Sequence, residues 1–254
     1  MIFAPVGNLI PPRTKRPAAV AAFGTTHWSL VVAAQEKTPA AAAALEKLCR
    51  GYWRPIYSFI RREGVAPEDA EDLTQAFFAR LLKLRGLEAV RQEKGRLRSY
   101  LLVSVKRFLE TERRRAMAVK RGEGHRPIPL EELRAQKRVD IEPRDNLSAD
   151  RIYERRWALA VLDQVFARLN DEYQDAHRSL LFNQLKELFA AGSDRRSQAD
   201  IASELGMTEN ALKQAFYRFR RRYQLLLWEE IAQTVAIPAD IEDELRHLVA
   251  VLRE

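Results

Sequence analysis

Residues 196–223, RSQADIASELGMTENALKQAFYRFRRRY, combine two short apolar patterns with a dense group of arginines. Ala202 comes four residues before Gly206, and Leu212 comes six residues after that glycine. This is the spacing of a helix-turn-helix, in which a small residue lets two helices cross closely and a glycine permits the tight turn. Ile201, Leu205 and Leu212 would fill the core between the two helices. The stretch therefore predicts a helical DNA-binding motif near the end of the chain.

The second helix of this motif offers two different faces. One is an apolar stripe of Leu212, Phe216, Phe219 and Tyr223, and Thr208 is a suitable N-cap. The opposite face carries amides, an aromatic ring and cations: Asn210, Lys213, Gln214, Tyr217, Arg218 and Arg221. A helix of this kind can enter a major groove, with its arginines on phosphates and its first polar residues on base edges. The alternative is a solvated amphipathic helix with a basic face.

The composition of the whole chain supports an all-α fold. Of the 254 residues, 46% are hydrophobic and only ten are glycine, and long segments are rich in Ala, Leu, Glu, Arg and Lys. A single cysteine, Cys49, allows no intramolecular disulfide, which fits a reducing cytoplasm. No apolar run approaches the roughly 18 residues that span a bilayer. We therefore expect a cytoplasmic protein without membrane insertion.

Prolines, glycines and capping residues divide the chain into a predicted arm, two small helical domains, a linker and a final helix. We expect helices to begin at Pro39, at Pro67 and near Arg96, and a break near Pro55. The predicted segments are a disordered arm at 1–24, a first domain at 25–121, a linker at 122–148, a helix-turn-helix domain at 149–236 and an acidic helix at 237–254. The acidic tail could shield the basic helix in the free protein or pack as a final helix. Packing is favoured by its apolar stripe: Ile241, Leu245, Leu248 and Leu252.

A basic segment lies at the end of the first predicted domain. Residues 91–126 contain twelve Lys or Arg and four acids. The cations include three basic pairs that recur every seven residues, about two helical turns: Lys106-Arg107, Arg113-Arg114 and Lys120-Arg121. The core side of the same helix would be formed by Leu97, Leu101, Val105 and Phe108. With a net charge of +8 for the chain, this ridge of basic pairs favours a surface that follows phosphates over a merely solvated face.

An acidic cluster precedes the Phe77-Phe78 pair and consists of Glu63, Glu68, Asp69, Glu71 and Asp72. Because carboxylates repel DNA, this cluster should serve something else. Clustered carboxylates could hold Mg²⁺ for phosphodiester cleavage. Acids also stabilise the N-terminus of a helix. A third interpretation is a protein-binding face.

The order of these pieces resembles the extracytoplasmic-function group of bacterial RNA polymerase sigma factors. The likeness covers about residues 50–121, similar to the family's region 2, and about 195–225, similar to region 4.2. The segments that carry it are DAEDLTQAFF (69–78), GRLRSYLLVSVKRFLETERRR (95–115) and the terminal RFRRRY (218–223). Where the family often has a Trp after the Arg-Ser pair, this chain has Tyr100.

The resemblance implies two macromolecular partners, core RNA polymerase and promoter DNA. The acidic helix would dock on the clamp helices of the polymerase β′ subunit through Asp69, Glu71, Asp72 and Gln75, and the second domain would meet the β flap. The basic helix would meet the −10 element and help to open it, through Arg98, Tyr100, Lys106, Arg107, Arg113, Arg114, Lys120 and Arg121. The helix from Glu209 would read the −35 element.

The resemblance also bears on regulation and catalysis. An anti-sigma factor or another regulator is a further candidate partner. We expect no enzymatic activity, cofactor, metal or catalytic residue. The alternatives are a free-standing helix-turn-helix regulator and, from another class, a metal-dependent nuclease.

Overall fold

The computed structural model describes residues 39–83, 96–122, 147–175, 178–190 and 197–253. Within these ranges the chain is helical and has no strand, which confirms the all-α prediction. The elements are α1 (Pro39–Arg62), α2 (Pro67–Lys83), α3 (Leu97–Gly122), α4 (Ala149–Asp175), α5 (Ser179–Ala190), α6 (Gln198–Glu204), α7 (Glu209–Thr234), a 3₁₀ turn (Pro238–Asp240) and α8 (Ile241–Arg253). The predicted arm at 1–24 and residues 123–146 of the predicted linker lie outside the described residues.

Local sequence signals account for several helix starts. Pro39 and Pro67 are the first residues of α1 and α2, where the missing N–H of proline costs nothing and its fixed φ suits the helix. Thr208 caps α7, because its hydroxyl accepts a hydrogen bond from the backbone N–H of Ala211 at 3.2 Å. Ser197 caps α6 in the same way, through Ala199. The starts predicted at Pro39, at Pro67 and after Thr208 are confirmed, whereas the cap at Ser197 was not predicted.

The predicted break near Pro55 is wrong, because α1 continues through that residue. A proline inside a helix removes one backbone hydrogen bond and crowds the carbonyl group four residues earlier. In this chain the earlier residue is Gly51, which has no side chain. Tyr52 and Ile56 beside the proline are 1% and 0% exposed. Burial of this helix face offsets the cost of the proline.

The described residues fall into two compact units. The first contains α1, α2, α3 and the beginning of α4 as far as Ala160, and the second begins at Val161. The division therefore falls inside α4, whereas the sequence placed it in the segment 122–148. The reason is that Tyr153 and Trp157, 0% and 1% exposed, are buried in the first unit.

The first unit is built around the apolar side of α3. The four residues predicted to form this side are all at most 5% exposed: Leu97, Leu101, Val105 and Phe108. Phe108 contacts Phe77 of α2, with ring centroids 5.8 Å apart, and Phe78 of α2 stacks on Trp53 of α1 at 5.7 Å. Three helices thus share one core, and the predicted core side of α3 is confirmed.

The second unit has an aromatic core around Phe219 of α7, which is fully buried. Its ring lies within 6.0 Å of the rings of Tyr173, Phe182 and Phe189, from α4 and α5. The apolar stripe of α8 is buried at Ile241, Leu245, Leu248 and Leu252. The prediction that the acidic C-terminal helix packs is therefore confirmed.

Candidate nucleic-acid interface

The turn between α6 and α7 brings two helices together at the predicted residues. Gly206 has φ +64°, a left-handed conformation that glycine adopts without a Cβ penalty. The N–H of Met207 donates to the carbonyl oxygen of Ala202 at 2.9 Å, which closes the turn. Ile201, Ala202 and Leu212 are 1–2% exposed, whereas Leu205, also predicted to lie in this core, is only half-buried. The small alanine and the glycine thus lie where a close helix crossing needs them.

The outer face of α7 exposes every residue that the sequence assigned to DNA: Asn210, Lys213, Gln214, Tyr217, Arg218 and Arg221. Lys213 is paired with Glu209 on the same helix, with Nζ 2.6 Å from Oε1. The buried face differs from the prediction at one position. Phe216 is only half-buried beneath the guanidinium of Arg220, and Ala215 is buried in its place.

Arg222, one of the arginines clustered at residues 218–222, has a structural role. Its Nε donates to both carboxylate oxygens of Glu172 at 2.9 and 3.0 Å. This hydrogen-bonded pairing holds the pKa of the Glu172 carboxyl below its ordinary value, although partial burial opposes the shift. Arg168 of α4 pairs in turn with Glu229 of α7 at 2.6 Å. Arg222 therefore fastens α7 to α4, while Arg218 and Arg221 remain on the outer face.

The acidic face of α2 is fully on the surface. Asp69, Glu71, Asp72 and Gln75 are exposed, and the opposite side of the helix is buried through Ala70, Thr74, Phe77, Phe78 and Leu81. Within the described part of the chain, none of the four polar side chains has an ion pair or a side-chain hydrogen bond. Glu63, directly after α1, differs, because its carboxylate pairs with Arg113 of α3 at 2.7 Å. The face of α2 is therefore open to a partner.

The basic ridge of α3 is largely matched by acids. Lys106 pairs with Asp150 at 2.6 Å, Arg113 with Glu63 at 2.7 Å and Arg114 with Glu110 at 3.0 Å. Arg107 is exposed and has no side-chain partner among the described residues. The side chains of Lys120 and Arg121 lie outside the described residues. Arg107 is thus the ridge cation with the least compensation in the part of the chain that is described.

These helices correspond to a known protein family. Residues 48–118 match the family model of Sigma-70 region 2. The chain contains a Sigma-70 region 2 domain. The presence of this domain supports the interpretation of the chain as a sigma factor, a protein that acts in promoter recognition and transcription initiation. No curated protein and no solved structure matches the chain.

Arg98 of the region 2 domain lies inside the protein, which corrects its predicted contact with DNA. The residue is 4% exposed, and its Nη1 donates to both carboxylate oxygens of Glu154 at 2.6 and 2.7 Å. The guanidinium also lies 4.9 Å from the ring centroid of Trp157, and the Tyr153 hydroxyl donates to the Arg98 carbonyl oxygen at 2.9 Å. A phosphate has no access to this charge. Tyr100 is half-buried.

Residues 147–160 support the region 2 domain although they lie beyond the matched segment. The carbonyl oxygen of Leu147 accepts a hydrogen bond from Nε of Arg62 in α1 at 2.9 Å, and Asp150 and Glu154 pair with α3. The sequence did not predict this support. Its only signal was the four-residue spacing of Tyr153 and Trp157, which indicates a buried face but does not identify its partner.

Over the described ranges, no three His, Cys, Asp or Glu side chains form a cluster that could hold a metal ion. No helix within the described residues is both long and apolar enough to cross a membrane.

Proposed function

We propose that the chain is a sigma factor of the extracytoplasmic-function group, which binds core RNA polymerase and directs it to promoters. The observation that carries the proposal is the Sigma-70 region 2 match over α1–α3. Its helices present an acidic surface on α2 and a basic surface on α3. Because carboxylates repel phosphates, one of these surfaces needs a partner other than DNA. A sigma factor has two such partners, polymerase and promoter.

The acidic face of α2 is proposed to dock on the clamp helices of the β′ subunit. Its contacts would be Asp69, Glu71, Asp72 and Gln75. Their exposure and their lack of described ion pairs support this role, because a basic surface could pair with them without first displacing a protein cation. The second unit would meet the β flap, and an anti-sigma factor remains a candidate regulator of the assembly.

The basic ridge is proposed to bind the −10 region, with Arg107 as its principal contact. Lys106, Arg113 and Arg114 would exchange carboxylate partners for phosphates. Exposed ion pairs, such as those of Lys106 and Arg114, contribute only about 0.2–1 kcal/mol, whereas cations that bind DNA release condensed counterions. The counterion release can therefore offset the loss of an exposed ion pair when a cation moves from a carboxylate to a phosphate. The partly buried pair of Arg113 with Glu63 is harder to separate. Lys120, Arg121 and Tyr100 complete the proposed surface.

The α6–α7 pair is proposed to be a helix-turn-helix that reads the −35 element. Asn210, Lys213 and Gln214 would meet base edges near the start of α7, with Tyr217 beside them. Arg218 and Arg221 would bind phosphates. The exposure of all six side chains supports this division, since the first residues of a recognition helix commonly contact base edges.

Run-off transcription tests the proposal directly. Core polymerase and a linear promoter template are incubated with and without the purified chain, in a reducing buffer that contains Mg²⁺. A sigma factor produces a defined transcript only when the chain is added. A free-standing regulator would bind duplex DNA without adding initiation, and a nuclease would degrade the template when polymerase is omitted. Either result would contradict the proposal.

A further inference from the structure

The first turns of α4 lie against α3 through two ion pairs of different depth. Glu154 pairs with the buried Arg98 at 2.6 Å, and the hydroxyl of Tyr153 donates to the Arg98 carbonyl oxygen at 2.9 Å. One turn earlier on α4, the carboxylate of Asp150 lies 2.6 Å from Nζ of Lys106. The side chains of this second pair are 45% and 49% exposed. A phosphate can therefore reach the lysine, although it cannot reach Arg98.

The carboxylate of Asp150 is held in place by contacts on both sides of it along the chain. Before it, Nε of Arg62 in α1 donates to the carbonyl oxygen of Leu147 at 2.9 Å. After it, Glu154 is fastened to Arg98. Asp150 also lies in the first turn of α4, where the helix dipole favours a negative charge. Because the acid is already positioned, pairing with the lysine requires little further ordering of it.

A DNA phosphate and the Asp150 carboxylate would compete for the same cation. A phosphate that binds Lys106 releases a condensed counterion from the DNA. The displaced carboxylate then takes up a cation from solution or stays beside the phosphate, which repels it. Either outcome cancels much of the gain from this contact. Arg107, the next residue on α3, has no such acid at its side chain within the described ranges.

We propose that Asp150 is an autoinhibitory residue, an internal carboxylate that competes with DNA phosphates for Lys106 and lowers the DNA affinity of the basic ridge. The inference rests on the proposed function, in which this ridge binds the −10 region, and it adds a regulation of that surface. Because the competition acts on charge alone, it weakens binding to every DNA sequence. Promoter choice then depends more on the contacts that read bases.

Asp150→Asn tests this role, because it removes the competing charge and keeps the shape of the side chain. The full chain in complex with core RNA polymerase is titrated onto matched duplex and pre-opened promoters, and log K is plotted against log salt. Binding is expected to become tighter by up to about fivefold, the equivalent of the roughly 1 kcal/mol that an exposed ion pair contributes. The slope should become steeper by up to about 0.9 on duplex and about 0.7 on pre-opened DNA, because the freed lysine then adds a full phosphate contact.

A double-mutant cycle with Lys106→Gln assigns the effect to this pair. Lys106→Gln should weaken binding more in the Asp150→Asn background than in the parent, where the acid already engages the lysine. Glu46→Gln is the matched control, because Glu46 forms an exposed ion pair with Arg50 within α1 of the same unit. It removes one negative charge and should change neither the affinity nor the slope.

Equal affinities and slopes for Asp150→Asn and Glu46→Gln would overturn the inference, as would additive effects in the double-mutant cycle. If Asp150→Asn has no effect while Arg107→Gln flattens the slope, the autoinhibitory role fails and the proposed function stands. A parent complex that neither binds nor transcribes promoters would contradict the proposed function itself, and with it the role of Asp150.

Discussion

Replacing Glu154 with glutamine would remove the carboxylate charge that pairs with the buried Arg98. The guanidinium is 4% exposed and the Glu154 side chain 15% exposed, so water can compensate little of the loss. Removal of one partner of a buried ion pair typically costs about 3–5 kcal/mol. Glutamine keeps the shape and one acceptor oxygen, and we therefore expect about 3 kcal/mol for Glu154→Gln. Since a domain is stable by only about 5–15 kcal/mol, this loss is a large fraction of the total.

Asp150→Asn provides a matched control on the same two helices. The pair of Lys106 and Asp150 has the same 2.6 Å separation, but its side chains are 45% and 49% exposed. Exposed pairs contribute about 0.2–1 kcal/mol. The two variants each remove one carboxylate charge from α4 opposite a cation of α3. Any difference between them therefore measures the effect of burial.

Urea unfolding of the full chain, followed by circular dichroism, measures both losses. With slopes of about 1–3 kcal/mol per molar urea, a loss of 3 kcal/mol lowers the midpoint by about 1 M or more. Hydrogen exchange of the α3 amides assigns the loss to the first unit. The double variant Arg98→Met with Glu154→Leu should recover much of the stability, because apolar replacement of a buried pair is often neutral or stabilising. A midpoint for Glu154→Gln no lower than that for Asp150→Asn would refute the reasoning.

Three further predictions concern the proposed partners. Asp72→Lys combined with Gln75→Lys should weaken the pull-down of core polymerase while the circular dichroism spectrum stays unchanged; undiminished core binding would exclude the docking role. Lys213→Ala or Gln214→Ala should change the preference at single base pairs of the upstream element by about 1–3 kcal/mol per lost bidentate contact. Transcription from a promoter library measures this preference. If both variants keep the parental preference, α7 does not read bases. Arg107→Gln should flatten the salt slope of promoter binding by about 0.9 on duplex and about 0.7 on pre-opened DNA, and an unchanged slope on both templates would mean that the ridge is only solvated.

Much of the fold follows from signals that are local in the sequence. Prolines at the first helical position fix the starts of α1 and α2, and the hydroxyl of Thr208 fixes the start of α7. The apolar period of α3 correctly predicts its core side. The prediction failed at Pro55, where a local rule for helix breaking competed with burial of the surrounding helix face.

The candidate site was predicted less well, because charge partners are set by tertiary contacts. Arg98 and Glu154 are 56 residues apart in the chain, and nothing in their local spacing connects them. In contrast, the outer face of α7 could be predicted, since the period of one helix decides which side chains are exposed.

The basic pairs of α3 show why a count of charges overestimates a DNA surface. A seven-residue repeat of cations places positive charge along one helix, but it says nothing about acids on other helices. Glu63, directly after α1, and Asp150 of α4 lie against this ridge and form ion pairs with Arg113 and Lys106. Each of these cations must separate from a carboxylate before it can bind a phosphate, whereas Arg107 needs no such exchange among the described residues. DNA affinity should therefore depend on Arg107 more strongly than its place in the repeat suggests. The reason is that the free energy gained from a phosphate contact is reduced by the ion pair that the contact replaces.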